Sequence, residues 1–192
     1  MTTYPVRTRR WTRKEYRQLG ELGVLPENEA VELIAGQLVV AEPKGTPHTT
    51  AVRLTAEALR RAFGAGWLVS TQDPIALDDD SEPEPDVAVV PGGPRDYLVD
   101  HPAWPVLVVE VADSSLLFDR HHKGSLYARA GFPDYWIVNL VDARLEVYRR
   151  PGGDPAAEFG WRYLDADVVA TGGGVAPLAR RDVTIAVADL LP

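Results

Sequence analysis

The feature of this sequence that most constrains its fold is an apolar run that carries one charge. Residues 106–111 read Val-Leu-Val-Val-Glu-Val. A continuous apolar run of this kind is typical of a central strand covered on both faces of its sheet. A glutamate is almost never fully buried unless it is paired or binds a metal. The run therefore predicts a layered α/β fold in which Glu110 has a cationic partner.

Helical and strand patterns surround this run. Thr12 and Glu15 match a capping box, which begins a helix that should end near Leu22. Val31–Ile34 and Gln37–Val40 are separated by two residues, the spacing of a β-hairpin. Further elements are predicted as helices over 48–63 and 116–130, strands over 67–71, 75–77, 86–90, 106–111, 135–140, 144–149 and 183–187, and loops over 150–160 and 171–176.

Length and composition suit one folded domain. The 192 residues are 45% apolar and 25% charged, with no repeat and no linker. We expect a flexible N-terminus over 1–10 and a single domain over 11–192. The chain has no cysteine, which excludes disulfides and thiolate zinc sites. No apolar run is long enough for a membrane helix, and residues 1–10 lack a signal-peptide core, so we expect a cytoplasmic protein without membrane contact.

Three charged residues form a candidate catalytic group. Asp86 opens one predicted strand, Glu110 lies in the next, and Lys123 lies on the helix that follows. Two carboxylates on adjacent strands can share a Mg²⁺ ion, which lowers the pKa of a bound water and neutralises phosphate charge. An ammonium nearby stabilises the transition state. Taken singly, Asp86 is equally well a solvated carboxylate and Lys123 a surface lysine, so the prediction depends on all three together.

Other polar residues have simpler interpretations. His48 opens a predicted helix, where capping or a surface role is favoured over substrate contact. His121 and His122 are adjacent on a helix and diverge by about 100°, which disfavours a histidine metal site. Asp119 precedes Lys123 by one turn, as in an i,i+4 ion pair worth about 0.3–0.5 kcal/mol.

The order of these motifs is recognisable. From about Trp11 to Leu190 the sequence resembles the Uma-two branch of the PD-(D/E)XK nuclease superfamily. The resemblance rests on markers that are individually weak and occur in a fixed order: Glu32-Leu33-Ile34-Ala35-Gly36-Gln37-Leu38, His48, Pro85-Asp86-Val87, Val108-Val109-Glu110-Val111, Asp119 with Lys123 and Tyr127, and Gly131-Phe132-Pro133-Asp134-Tyr135-Trp136.

The resemblance implies a restriction-endonuclease-like core, with a mixed central β-sheet flanked by helices and an added N-terminal helix and hairpin. It implies that Asp86 and Glu110 bind the metal and that Lys123 is the catalytic lysine. Glu32 matches a further acidic residue of the superfamily that holds metal through water, and His48 and Tyr127 are candidates for substrate contact. The usual lysine position, two residues after the strand glutamate, is Ala112 here, so Lys123 must reach the site from the helix.

The function implied is a Mg²⁺- or Mn²⁺-dependent endonuclease that hydrolyses DNA, acting as a homodimer through the Tyr135–Arg149 hairpin or the N-terminal helix. A net charge of −8 is unusual for a protein that binds phosphate. Two alternatives therefore stay open. One is a non-catalytic interaction module that retains the nuclease fold, and the other is a nuclease acting on RNA.

Overall fold

A mixed six-stranded sheet and its flanking helices organise the protein. The computed structural model describes residues 8–26, 29–41 and 43–192. The helices are α1 Arg13–Glu21, α2 Thr46–Phe63, α3 Leu116–Phe118 and α4 Gly124–Arg129, with a π-helical segment Asp119–Lys123 between the last two and short 3₁₀ turns at Pro94–Tyr97, Leu178–Arg180 and Val187–Asp189. The strands are β1 Val31–Ile34, β2 Gln37–Val40, β3 Trp67–Ser70, β4 Val87–Pro91, β5 Leu107–Ala112, β6 Asp134–Asn139, β7 Arg144–Gly153, β8 Trp161–Ala170, β9 Gly174–Val175 and β10 Ile185–Ala186.

The strand order of the central sheet is β3-β4-β5-β6-β7-β8. β5 pairs antiparallel with β4 and parallel with β6. A parallel pair needs a crossover connection, and here α3, the π-helical segment and α4 provide it. All six residues of β5 are buried, which confirms the central strand predicted from its apolar run.

Two hydrophobic clusters cover the faces of this sheet. Odd-numbered residues of β5, such as Val109, join a cluster that contains Leu59 and Phe63 of α2. Even-numbered residues, such as Val108, join a second cluster with Leu126 of α4. This alternation follows from the two-residue period of a strand. Glu110 is even-numbered, and its side chain therefore belongs to the face covered by α4.

The N-terminal helix and the hairpin form as the sequence predicts. Thr12 and Glu15 make both bonds of the capping box at the start of α1. In the hairpin, Ala35 and Gly36 have φ values of 47° and 77°, the left-handed pair of a two-residue type I′ turn. Gly36 is also required sterically, since a Cβ there would lie 2.6 Å from Cβ of Arg10.

The crossover helix differs from the uninterrupted α-helix predicted over 116–130. Between Asp119 and Lys123 it is π-helical, and the Gly124 amide donates to the Asp119 carbonyl five residues earlier. The Tyr135 hydroxyl donates to the same carbonyl at 2.9 Å. A Cβ at Gly124 would lie 3.3 Å from that oxygen, so the glycine leaves room for the wide turn. Gly131 ends the helix at φ 77°, as predicted.

Two strand predictions and one loop prediction differ from the structure. Residues 75–77 are not a strand; Ile75 is buried, but its amide donates to the carbonyl of Pro83 in a loop. Residues 150–160 are not all loop, because β7 continues to Gly153 and pairs with β8, which the sequence analysis did not find. The tail predicted over 183–187 is a strand only at Ile185–Ala186.

Of the predicted flexible N-terminus, residues 1–7 lie outside the described part of the chain. Residues 8–10 have no regular secondary structure, and Trp11 donates its amide to the Gly36 carbonyl at 2.9 Å. Within the described ranges, no helix is long and apolar enough to span a membrane.

Candidate active site

Asp86 and Glu110 lie at the end of the central strand pair. The antiparallel register pairs Val87 with Val109, and its continuation by one residue places Asp86 opposite Glu110. Directly opposed residues of an antiparallel pair lie on the same face. The Asp86 amide donates to Glu110 Oε2 at 3.3 Å, and the Val111 amide donates to Asp86 Oδ2 at 2.9 Å. The structure therefore brings these two predicted residues together.

Each oxygen of Asp86 has two donors. Oδ2 is near His48 Nε2, at 3.1 Å, and accepts from the Val111 amide. Oδ1 accepts from Lys44 Nζ at 3.1 Å and from Gln72 Nε2 at 3.3 Å. Burial alone would raise the pKa of Asp86, but the His48 hydrogen bond and the charge of Lys44 hold that pKa well below its usual range. Asp86 is therefore an ionised carboxylate in a buried place.

Lys123 points into the protein toward Glu110. Its Nζ lies 3.1 Å from Glu110 Oε1 and 3.4 Å from Glu32, and its side chain is only 8% exposed. Burial would lower the pKa of Lys123, but the charges of Glu110 and Glu32 outweigh it and raise that pKa. The Tyr127 hydroxyl donates to the same Glu110 oxygen at 2.8 Å. Glu32, Glu110, Lys123 and Tyr127 thus form one buried group.

Lys123 is the last residue of the π-helical segment, one turn after Asp119. A π-helix closes i→i+5 bonds, so residues four apart lie closer to one line than in an α-helix of 3.6 residues per turn. Asp119 and Lys123 are both buried and both line the same cleft. The predicted ion pair between them does not form; Asp119 Oδ2 instead accepts from Ser115 Oγ at 2.6 Å.

These residues line a cleft of about 550 Å³ that collects negative charge. Six carboxylates line it, together with two lysines and one histidine. The carboxylates are those of Glu32, Glu84, Asp86, Glu110, Asp113 and Asp119, and the others are Lys44, Lys123 and His48. Burial raises the pKa of Glu110 to about 8, although Lys123 opposes the shift. Burial likewise raises the pKa of Glu84 to about 7 and that of Asp119 to about 6.

His48 does not occupy the expected position. His48 is neither a cap nor a surface residue, because α2 has no side-chain cap bond and His48 is 8% exposed. It contacts Asp86, and its other ring nitrogen, Nδ1, is buried without a hydrogen-bond partner. His122 pairs with the Glu158 carboxylate at 2.6 Å and stacks on Phe118.

Sequence reasoning missed Lys44 and its contact with Asp86. Lys44 lies just before α2, between residues of a Pro- and Gly-containing loop. No periodicity marks such a position, and only the folded chain shows that the loop passes over the Asp86 carboxylate.

The donor set of this cleft suits a hard divalent cation. The side chains of Glu32, Asp86 and Glu110 offer carboxylate oxygens, which Mg²⁺ and Mn²⁺ prefer. Burial raises the pKa of Glu110 first, and the neighbouring charges of Asp86, Asp119 and Glu32 add to that rise. Among the residues that the structure describes, no group of three His, Asp or Glu side chains is arranged as a ready-made metal site.

The mixed sheet flanked by helices, with Asp86 just before β4, Glu110 on β5 and Lys123 in the crossover that follows, has a restriction-endonuclease-like core. The family model of Uma2, described as "Putative restriction endonuclease", matches residues 13–169. The chain belongs to this family. Family and fold together support a nuclease as its class of activity.

A solved structure has the same fold. The chain is similar to a crystal structure of a putative nuclease belonging to DUF820 from Anabaena variabilis, with a TM-score of 0.63 and 16% sequence identity. The match covers 90% of this chain and 96% of that one. No curated protein matches the sequence.

Proposed function

We propose that this protein is a metal-dependent endonuclease that hydrolyses DNA, with Asp86, Glu110 and Lys123 as its catalytic residues. The observation that carries the proposal is the position of Lys123, whose ammonium lies 3.1 Å from Glu110 in a buried cleft next to Asp86. A buried lysine beside several carboxylates is seldom placed by packing alone, because a charge in a protein interior requires compensation.

In this proposal Asp86 and Glu110 would hold the Mg²⁺ or Mn²⁺ ion, and Glu32, which contacts Lys123 in the same cleft, would add negative charge beside it. When bound, the ion lowers the pKa of a water molecule and neutralises charge on a phosphate oxygen. Lys123 stabilises the negative charge that develops on the phosphoryl oxygens. Tyr127 orients Glu110 through its 2.8 Å hydrogen bond, and His48 orients Asp86. The substrate contact expected of His48 and Tyr127 stays a prediction beside these positioning roles.

A cleavage assay tests this function. Plasmid DNA and single-stranded RNA are incubated with the protein and Mg²⁺ or Mn²⁺, with EDTA as the metal-free control. Lys123→Met should abolish cleavage, whereas the same substitution at exposed Lys14 should leave it unchanged. Metal-dependent cleavage of RNA with DNA untouched would replace the proposed substrate. Equal DNA cleavage by the Lys123→Met variant would refute the assigned catalytic lysine.

Two observations favour a second function. Six carboxylates line the cleft and the net charge is −8, both unfavourable for approach of a polyanion. In a non-catalytic interaction module, the Lys123–Glu110 ion pair would be a structural element with no ion to bind. Calorimetric titration with Mn²⁺ separates the two functions, because such a module should bind no metal at this site.

We further propose a homodimer of single-domain subunits in the cytoplasm. One domain over 11–192 is supported by a hydrophobic cluster that joins residues from Ala51 to Leu190.

Of the two predicted dimer surfaces, the β6–β7 hairpin has no free edge, since β5 and β8 pair with its two sides. Helix α1 remains, with no buried residue. Sedimentation of the 21.0 kDa chain as a monomer at micromolar concentration would contradict the dimer.

A further inference from the structure

Lys44 is the second lysine of the cleft, and its surroundings differ from those of Lys123. Its Nζ lies 3.1 Å from Asp86 Oδ1, and its side chain is 34% exposed, against 8% for Lys123. It extends from the loop before α2, at the wall of the cleft. A long side chain at such a position can leave its carboxylate at a modest cost, because partly exposed ion pairs contribute little net free energy.

The two oxygens of Asp86 are held differently. Oδ2 is fixed by a backbone amide and by His48, which is 8% exposed. Oδ1 is held by two side chains from the exposed surface, those of Lys44 and Gln72. Oδ1 is therefore the oxygen that can exchange its partners without disturbing the strand, and the cation beside it is Lys44.

We propose that Lys44 is a resident counter-ion of Asp86, which a divalent metal ion displaces and which then binds a phosphate of the substrate. The inference depends on the proposed metal site at Asp86. An ammonium and a divalent cation that bind the same oxygen lie close enough to repel each other. Lys44 and the metal ion therefore cannot both bind Asp86 Oδ1 tightly. Once displaced, Lys44 remains tethered at the wall of an acidic cleft, where a nucleic-acid phosphate needs a cationic partner.

This arrangement predicts opposite effects on the two ligands. Replacement of Lys44 by Met removes a competitor for Asp86, and the affinity for metal should rise. The same replacement removes a phosphate contact, and the affinity for nucleic acid should fall. A lysine that only stabilised the fold would not separate the two affinities in this way.

The chain provides a matched control. Its three lysines are Lys14, Lys44 and Lys123, and Lys14 is exposed on α1 and lines no part of the cleft. Lys14→Met makes the same change of charge at a distance from the site. Lys44→Arg keeps the positive charge, so its affinities for Mn²⁺ and DNA should lie closer to those of the parent than those of Lys44→Met do.

The experiment titrates Mn²⁺ into the parent, Lys44→Met, Lys44→Arg and Lys14→Met proteins by calorimetry, without nucleic acid. Lys44→Met should bind Mn²⁺ roughly tenfold more tightly than the parent, the scale of one partly screened unit charge. Thermal unfolding gives a second readout: Lys44→Met should melt lower than the parent in EDTA and gain more from Mn²⁺. Both results follow because Asp86 loses its counter-ion and the metal replaces it.

Binding of a fluorescein-labelled DNA duplex in Ca²⁺, followed by anisotropy, should weaken roughly tenfold in Lys44→Met and stay unchanged in Lys14→Met. Equal or weaker Mn²⁺ binding by Lys44→Met overturns the counter-ion role, and unchanged DNA affinity overturns the phosphate role. If neither parent nor Lys44→Met binds Mn²⁺, the proposed metal site itself fails. A parent that binds Mn²⁺ but no DNA refutes the proposed substrate alone, and the metal titration still decides the role of Lys44.

Discussion

Replacing Glu110 with Gln should change how stability depends on pH. Glu110 is 2% exposed, and burial raises its pKa from 4.5 to about 8 against the opposing charge of Lys123. Between these two values the folded protein holds a proton on Glu110 that the unfolded chain releases. Stability must therefore fall as pH rises through this window, by about 1.4 kcal/mol per pH unit. Glutamine has nearly the same shape and no proton to lose.

The magnitude follows from the position of this window. Between pH 6 and pH 9, only the two units from pH 6 to pH 8 lie inside this window. Over them the free energy of unfolding of the parent should fall by about 3 kcal/mol relative to that of the Glu110→Gln variant. For a chain of 192 residues, this difference corresponds to roughly 6–12 °C in melting temperature. Parent and variant should thus be most alike below about pH 4.5, and the advantage of the variant should grow as the pH rises from 6 to 9.

Thermal and urea unfolding in EDTA at pH 6, 7.5 and 9 measure this difference. Glu57→Gln, the same change at an exposed position of α2, should follow the parent at every pH. Added Mn²⁺ should stabilise the parent and Glu57→Gln but leave Glu110→Gln unchanged. The reasoning is refuted if Glu110→Gln melts well below the parent at pH 9. Glu110 would then be a structural ion-pair partner of Lys123, with no uncompensated charge for a metal to bind.

Three further substitutions test the same group. Lys123→Met leaves Glu110 and Glu32 without their shared cation. The free energy of unfolding in EDTA, measured with urea, should therefore fall by about 3–5 kcal/mol. An unchanged value would contradict a buried ion pair. Tyr127→Phe removes the 2.8 Å hydrogen bond to Glu110. It should lower the free energy of unfolding by about 1–2 kcal/mol and weaken Mn²⁺ binding in calorimetry. If stability and Mn²⁺ affinity were both unchanged, the hydroxyl would have no positioning role. Gly124→Ala would normally stabilise a helix by about 1 kcal/mol, but its Cβ would lie 3.3 Å from the Asp119 carbonyl, so urea unfolding should show no gain; a full gain would mean that the π-helical turn relaxes freely.

Local chemistry made several elements predictable from sequence. The capping box at Thr12 and the Ala35-Gly36 turn are complete within a few residues, and the structure contains both. The apolar run around Glu110 identified the central strand, since burial on both faces leaves no polar alternation. The pairing of Asp86 with Glu110 followed from the order of two neighbouring strands.

The elements that were missed depend on long-range contacts. Strand β8 is mostly exposed, so it lacks a strong apolar alternation. Proline and two glycines at 151–153 predict a loop, but these residues pair with β8. The π-helical segment is invisible to a periodicity argument because it shifts the phase of one turn only. Lys44 contacts Asp86 because the start of α2 lies beside that carboxylate. The packing of α2 against the sheet sets the position of this start.

A crystal of the protein grown or soaked with Mn²⁺ tests the central claim most directly. Anomalous scattering locates the ion independently of the protein atoms. We predict one peak at the end of β4 and β5, about 2.1–2.2 Å from oxygens of Asp86 and Glu110, with Lys123 beside Glu110 and Lys44 displaced from Asp86. An Mn²⁺-saturated crystal with no peak at these carboxylates, and with Lys44 still bonded to Asp86, would contradict the account.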